Sequence, residues 1–213
     1  MSEPPVVVLA TRNAGKAREF DRLLEGAFEM RILRADIALP EEIGETFAEN
    51  ACLKAEGVFA ALGGSTAVLA DDSGLQVTAL SGAPGVQSAR YAGADARDEE
   101  NVQKLLAALR GRGDRTARFV CVLCLVLPVL PMEPSAQVTP ARFMAEGLVE
   151  GTITRVPRGS DGFGYDPVFQ PLGWSETLAE ADPARKDTIS HRGAAARALL
   201  ARLREAEVMV HGT

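Results

Sequence analysis

The chain has 213 residues, 46% of them hydrophobic, and a formal net charge of −6 from 23 Lys and Arg against 29 Asp and Glu. That length suits one large domain or two small lobes sharing a core, and the composition is that of a globular chain. The isoelectric point is near 5.1 with charges of both signs well mixed, so no basic face offers itself to a nucleic-acid polymer, while a small anionic substrate stays open to local cations or a divalent metal.

Val6 to Ala10 reads as a short buried strand. Thr11 to Lys16 reads as a tight polar turn, and Ala17 to Leu24 continues at helical spacing through Phe20, Leu23 and Leu24. The N-terminus of such a helix is a natural seat for a phosphate. Past the acidic stretch of Glu41, Glu42 and Glu45, Thr46-Phe47-Ala48-Glu49 forms a capping box. Phe47, Ala51, Ala55, Val58 and Leu62 then recur at helical spacing, which predicts a helix over 46–62 stopped by Gly63-Gly64. Ala67 to Ala70 is a second buried strand, expected to end at Asp71-Asp72, where Ser73-Gly74 supplies a turn.

Residues 98–110 predict an amphipathic helix through Val102, Leu105, Leu106 and Leu109. Arg118 to Leu127 predicts a long strand at the centre of the sheet. Pro128, Pro131, Pro134 and Pro140 mark a loop over 128–141, and 142–150 returns as a strand. That hairpin makes the sheet mixed rather than wholly parallel. A last helix is expected over 191–206, capped by Ser190, with Leu199, Leu200 and Leu203 inward.

Met1-Ser2-Glu3-Pro4-Pro5 lacks the basic and apolar segments of a signal peptide. The longest apolar run, Phe119 to Leu130, is too short to span a bilayer. Cys52, Cys121 and Cys124 are too few for a disulfide framework. The expected location is therefore cytoplasmic, with no membrane partner. In a strand, Cys121 and Cys124 face opposite sides, so they read as small core hydrophobes rather than a metal pair.

Four constellations carry chemistry. Asp71-Asp72 offers carboxylates for Mg²⁺, or else two turn-forming aspartates bonded to nearby backbone. Thr11-Arg12-Asn13-Ala14-Gly15-Lys16 gathers hydroxyl, amide and cations at a helix N-terminus, either a phosphate cradle or a capped, solvated loop. Ala10 and Ala17 stand where a Walker A loop needs Gly and Ser or Thr, which rejects a P-loop. Ser190-His191-Arg192 places cationic groups in a helix's first turn, against the macrodipole, where a ligand anion or base edge explains them better than stability does. Gly159 to Pro167, with Phe163, Tyr165 and Asp166, lets backbone and an aromatic ring approach a flat ligand, or forms a plain Gly-rich turn. Neither a nucleophile elbow nor a Gly-x-Gly-x-x-Gly fingerprint is present.

In these motifs, in order from about Val6 to Leu203, the chain resembles the inosine triphosphate pyrophosphatase family, the house-cleaning hydrolases of non-standard purine nucleoside triphosphates. The resemblance rests on Thr-x-Asn-x-Gly-Lys, Glu-x-Thr-Phe-x-Glu-Asn-Ala, Ala-Asp-Asp-Ser-Gly-Leu, Gly-Ala-Pro-Gly-Val, Ser-Ala-Arg-Tyr, Gly-Phe-Gly-Tyr-Asp-Pro and Ile-Ser-His-Arg-Gly. It implies Mg²⁺-dependent hydrolysis of ITP, dITP and XTP to the monophosphate and pyrophosphate. It also implies one α/β domain over 1–213, with two lobes, a long mixed central sheet flanked by helices, the active-site cleft between the lobes, and a homodimer. By motif position, Asp72 would be the general base and a metal ligand, with Glu41 a second metal carboxylate. Thr11, Arg12, Asn13, Ala14, Gly15 and Lys16 would hold chiefly the phosphates, and Ser73 would assist. Phe163, Gly164, Tyr165 and Asp166 would flank the base, with Lys186, His191 and Arg192 completing the nucleotide site. Glu41-Glu42-Ile43-Gly44 departs from the family's more usual Glu-Glu-Thr-Gly. A septum-inhibitor-type pyrophosphatase would carry an arginine at Lys16 and lack Ser190-His191-Arg192-Gly193. A non-catalytic nucleotide sensor would have lost the carboxylates that remain here.

Overall fold

The computed structural model describes residues 4–128 and 140–211, the side chains of 207–211 excepted. Its sheet has six strands: β1 (Val6–Leu9), β2 (Glu29–Ile32), β3 (Ala67–Val77), β4 (Thr116–Leu127), β5 (Ala141–Ile153) and β6 (Phe169–Pro171), in the order β2-β1-β3-β4-β5-β6. β1 runs parallel to β2 and β3, with Val7 opposite Ala67 and Leu9 opposite Leu69, whereas β5 and β6 are antiparallel. The sheet is therefore mixed, and β4 and β5, consecutive in the chain, lie side by side in it. The helices are α1 (Ala14–Leu23), α2 (Phe47–Ala61), α3 (Asp98–Ala108), α4 (Pro183–Ile189) and α5 (His191–His211). The chain divides into two compact units, one of residues 1–72, 122–146 and 195–213, the other of 73–121 and 147–194.

In the first unit α2 forms as its local signals direct. Thr46 Oγ1 accepts from Glu49 N while Glu49 Oε2 accepts from Thr46 N, a complete capping box. Ala51, Ala55 and Val58 follow one stripe and are wholly buried, and their small side chains bring the helix close to its neighbours. Gly57 extends that closeness: a Cβ there would collide with the ring of Pro40, which seats the segment before α2 against the helix. Phe20 and Leu24 bury their side chains completely after α1 starts at Asn13, whose Oδ1 caps Lys16 N at 3.0 Å. The helix thus begins earlier than its apolar spacing predicts, because the cap lies upstream of the first buried side chain.

The second unit has its own core. Leu75, Leu105, Leu109, Phe119, Ile153, Val168, Phe169 and Leu178 cluster there, with the Phe119 and Phe169 ring centroids 4.6 Å apart. Each such side chain contributes about 1.5–3 kcal/mol by leaving water.

Two expectations are corrected, and three short elements went unread. β3 does not end at the aspartates but runs on to Val77, so Ser73-Gly74 is strand and not turn. Turn chemistry lost because both aspartates find cationic partners along an extended backbone, as described below. The short β2, β6 and α4 carry too few residues to show a period, although Asp182 capping Ala184 with Pro183 at the first helical position is a readable helix start. The last helix runs to His211, past 206, with Leu199 buried and Ser190 Oγ accepting from Gly193 N at 2.9 Å. Of the expected loop over 128–141, residues 129–139 lie outside the described residues. Cys121 and Cys124 are buried free thiols in β4. Burial pushes the Cys124 thiol up, and its sulfur neighbour is Cys52 of α2. Among the described residues no helix is long and apolar enough to cross a membrane.

Candidate active site

Each unit holds one cluster of polar side chains. In the first unit the extended backbone of β3 turns Asp71 and Asp72 to opposite sides. Asp71, 1% exposed, meets Lys16 of α1 at 2.8 Å. Asp72 meets α2: its Oδ1 lies 3.4 Å from Lys54 Nζ and its Oδ2 accepts from Asn50 Nδ2 at 3.2 Å. Lys54 also donates to Glu42 Oε1 at 2.6 Å. Burial raises the proton affinity of Asp72 and the nearby Glu42 raises it further, while Lys54, Lys16 and Asn50 pull it down, and the net direction is up. Burial works against the charge of Lys54, but Asp71, Asp72 and Glu42 outweigh it and hold the ammonium above its usual range. The two side chains form a buried carboxylate–ammonium pair.

The loop before α1 lies in the same unit. Thr11 is buried and its Oγ1 accepts from Asn13 N at 3.1 Å, while Ala14 and Gly15 form the first helical turn with Lys16. Arg12 points elsewhere: its guanidinium donates to the carbonyls of Leu33, Arg34, Ala35 and Ile37. It ties down the 33–37 segment, which leads into the acidic stretch. Glu41 is exposed, and the carboxylate that reaches Lys54 is that of Glu42. Ser73 is the next residue of β3 and half-buried.

Among the described residues no three His, Cys, Asp or Glu side chains gather as a metal cage. Mg²⁺ does not require one. It keeps several waters and is held through one or two carboxylates together with substrate phosphates. Asp72 and Glu42 share Lys54 and sense each other electrostatically, so an oxygen-only pair of hard donors is present and the residues fit the ion.

In the second unit His191 and Arg192 open α5 and are buried. The His191 ring stacks on Phe119, centroids 4.7 Å apart and planes 10° from parallel. The Arg192 guanidinium lies 4.9 Å and the Lys186 ammonium 5.3 Å from the centroid of Phe163, both within cation–π range. Lys186 Nζ also pairs with Asp166 Oδ2 at 2.8 Å, an oxygen that accepts from Phe163 N at 3.0 Å. Gly162, at φ +81°, passes so close to that oxygen that no Cβ fits. Gly164 N donates to Asp98 Oδ2 at 2.6 Å, which ties the loop to the start of α3. Tyr165 is placed differently from its expected role beside a base. It is 4% exposed within the apolar core, its hydroxyl donates to Ser88 O at 2.9 Å, and burial pushes its phenol up. Phe163, half-buried, is the more accessible aromatic side chain of the loop.

Sequence reasoning missed Glu42, Asn50, Lys54, Asp98 and Phe119. Asn50 and Lys54 did leave a signal, being polar residues one helical turn apart and each adjacent to a buried alanine of α2.

Residues 7–202 match the model of the Ham1 family. The chain belongs to the Ham1 family. It is 48% identical over 206 residues to a dITP/XTP pyrophosphatase of Syntrophobacter fumaroxidans, covering 95% of this chain and 82% of that one. A dITP/XTP pyrophosphatase of Halorhodospira halophila is 47% identical over 199 residues, covering 91% and 94%. Among solved structures, a Ham1 protein from Coxiella burnetii superposes with a TM-score of 0.79 at 42% identity, covering 94% of this chain and 99% of that one. This Ham1 chain is an enzyme of a family whose named relatives are hydrolases.

Proposed function

We propose that this Ham1 enzyme hydrolyses the non-standard purine nucleoside triphosphates ITP, dITP and XTP, with Mg²⁺, to the monophosphate and pyrophosphate. The observation that carries the reading is Asp72: a buried carboxylate with raised proton affinity, one oxygen held by Asn50 and the other near Lys54, with Glu42 on the same lysine. A buried carboxylate whose proton affinity is raised is suited to general-base work. Asp72 takes the proton of the attacking water as the water oxygen bonds to phosphorus, and the bridging P–O bond breaks to release pyrophosphate. Asp72 and Glu42, with Glu41 as the further acidic residue of that stretch, would hold Mg²⁺, which when bound neutralises charge developing on the phosphate oxygens. Lys16 and Lys54 supply fixed positive charge, and the first turn of α1 supplies amides suited to an anion.

The second cluster carries groups suited to a purine base. Phe163 offers a ring face, and Arg192 and His191 offer hydrogen-bonding groups. Hypoxanthine and xanthine carry a 6-oxo acceptor where adenine carries an amine, so a buried donor such as Arg192 favours them and is left unmatched by adenine. In this reading the enzyme clears the nucleotide pool as a cytoplasmic homodimer, an assembly that light scattering on the eluted protein decides.

The test is pyrophosphate release from purified protein with Mg²⁺ and ITP, XTP, dITP, ATP, GTP and dTTP in parallel. Fast release from ITP, dITP and XTP with little from ATP and GTP is expected. Binding of ITP without release from any nucleotide would point instead to a nucleotide sensor.

A further inference from the structure

Asn50 is wholly buried on α2, and its one carboxamide reaches two separate stretches of chain. Its Oδ1 accepts from Gly44 N at 2.8 Å, and its Nδ2 donates to Gly44 O at 3.4 Å and to Asp72 Oδ2 at 3.2 Å. One helical turn later Lys54 repeats the pattern, donating to Asp72 Oδ1 at 3.4 Å and to Glu42 Oε1 at 2.6 Å. Positions i and i+4 of one helix therefore grip both oxygens of Asp72 and both ends of the 42–44 segment. The fit at Gly44 is close: a Cβ there would sit 2.8 Å from Asn50 Oδ1 and 2.7 Å from Glu49 Cβ.

Only a carboxamide meets these demands. Both N–H groups of Asn50 are committed to acceptors, and its oxygen is committed to a donor. A flipped amide would set oxygen against the Asp72 carboxylate and N–H against the Gly44 N–H. An aspartate would keep the acceptor for Gly44 N but bring no donor to Asp72, and an alanine would abolish both arms.

We propose that Asn50 is a positioning residue: its carboxamide fixes the rotation of the Asp72 carboxylate and locks it in register with the segment that carries Glu42. The proton acceptor and the second carboxylate are thereby aligned by a single side chain. The inference rests on the reading of Asp72 as the base, and Asp72→Asn is included in the test for that reason.

The experiment measures kcat and KM for ITP, and hydrogen exchange at Gly44, in Asn50→Asp, Asn50→Ala, Glu42→Gln and the Asn50→Ala/Glu42→Gln double variant. Misplacement of a reacting group by an ångström costs up to about a hundredfold, so kcat is expected to fall about tenfold to a hundredfold in both Asn50 variants, with KM changed less than about threefold. Exchange at Gly44 should quicken in Asn50→Ala and stay near wild type in Asn50→Asp, which keeps the acceptor. The double variant should be little worse than the poorer single variant, since both act on one arrangement. Wild-type kcat in either Asn50 variant, a rise confined to KM, or strictly additive losses would overturn the proposal. If Asn50→Ala fails to fold, the isosteric Asn50→Asp and the exchange at Gly44 still decide. Full turnover by Asp72→Asn would show that the base reading itself has failed, whatever the Asn50 variants do.

Discussion

In the first unit, Asp71 and Asp72 are buried carboxylates that each face a lysine, on α1 and α2 respectively. In the second unit, Lys186 and Arg192 lie over one phenyl ring and His191 lies flat on another. The first cluster holds its charges by opposition within a hydrogen-bonded frame, which leaves Asp72 reluctant to ionise. The second holds its cations on π faces, with Asp166 as the carboxylate partner of Lys186. Opposed charges give reactivity, and stacked planes give shape.

That contrast is breakable. The largest effect is expected from Asp72→Asn, which should lower kcat for ITP by about a thousandfold while nucleotide binding measured by calorimetry stays within a few-fold of wild type. Retained turnover would remove Asp72 from the chemistry. Arg192→Lys keeps the charge but loses the planar fork. It should reduce the ITP-over-ATP ratio of kcat/KM by about tenfold and leave the maximal rate on ITP nearly unchanged, so an unaltered ratio would place the 6-oxo contact elsewhere.

Arg12→Gln tests whether the loop before α1 uses that guanidinium on phosphate or on its own backbone. The carbonyl ties of Arg12 predict faster exchange at 33–37 and a loss of about 1 kcal/mol on unfolding, with KM for ITP unmoved. A salt-sensitive rise in KM would restore Arg12 as a phosphate ligand.

The smallest effect concerns stability. Because Asp72 binds its proton more tightly folded than unfolded, the native state is the more protonated one between the two values. Stability therefore falls as pH rises from the ordinary aspartate range through the folded value. Metal-free Asp72→Asn should then melt above wild type at neutral pH, and the gap should close in acid, where the wild-type carboxyl is neutral. Thermal melts across pH read this directly, and an unchanged gap would mean that Asp72 is no burden to the fold.

How much could be read in advance differs between α2 and β3. For α2, cap, stripe and glycine stop agree within 20 or so residues of sequence, and local agreement is what single-sequence reading detects. For β3, Asp71-Asp72-Ser73-Gly74 has the chemistry of a turn, and the lysines that allow it to stay extended are 55 and 18 residues upstream. Glu41 and Glu42 pose the same difficulty. Adjacent carboxylates look alike until Arg12, Pro40 and Gly44 fix how the segment is laid against α2. Tyr165 and Phe163 were equivalent as aromatic letters, and only the hydroxyl's bond to Ser88 O sends one inward. His191 and Arg192 were legible as candidates because cations in a helix's first turn demand a reason beyond the helix, whereas Lys186 was singled out through the resemblance.

One consequence of the alternation along β3 concerns folding rather than catalysis. β3 pairs with β1 so that Val7, Val8 and Leu9 lie opposite Ala67, Val68 and Leu69. All of these strand residues are apolar, and a run of similar side chains discriminates poorly between neighbouring alignments. A slip by one position would present each aspartate to the side its lysine does not occupy, leaving two carboxylates buried without cations, a penalty of several kcal/mol. The buried ion pairs of β3 thus act as a checksum on strand pairing, rejecting a misaligned sheet.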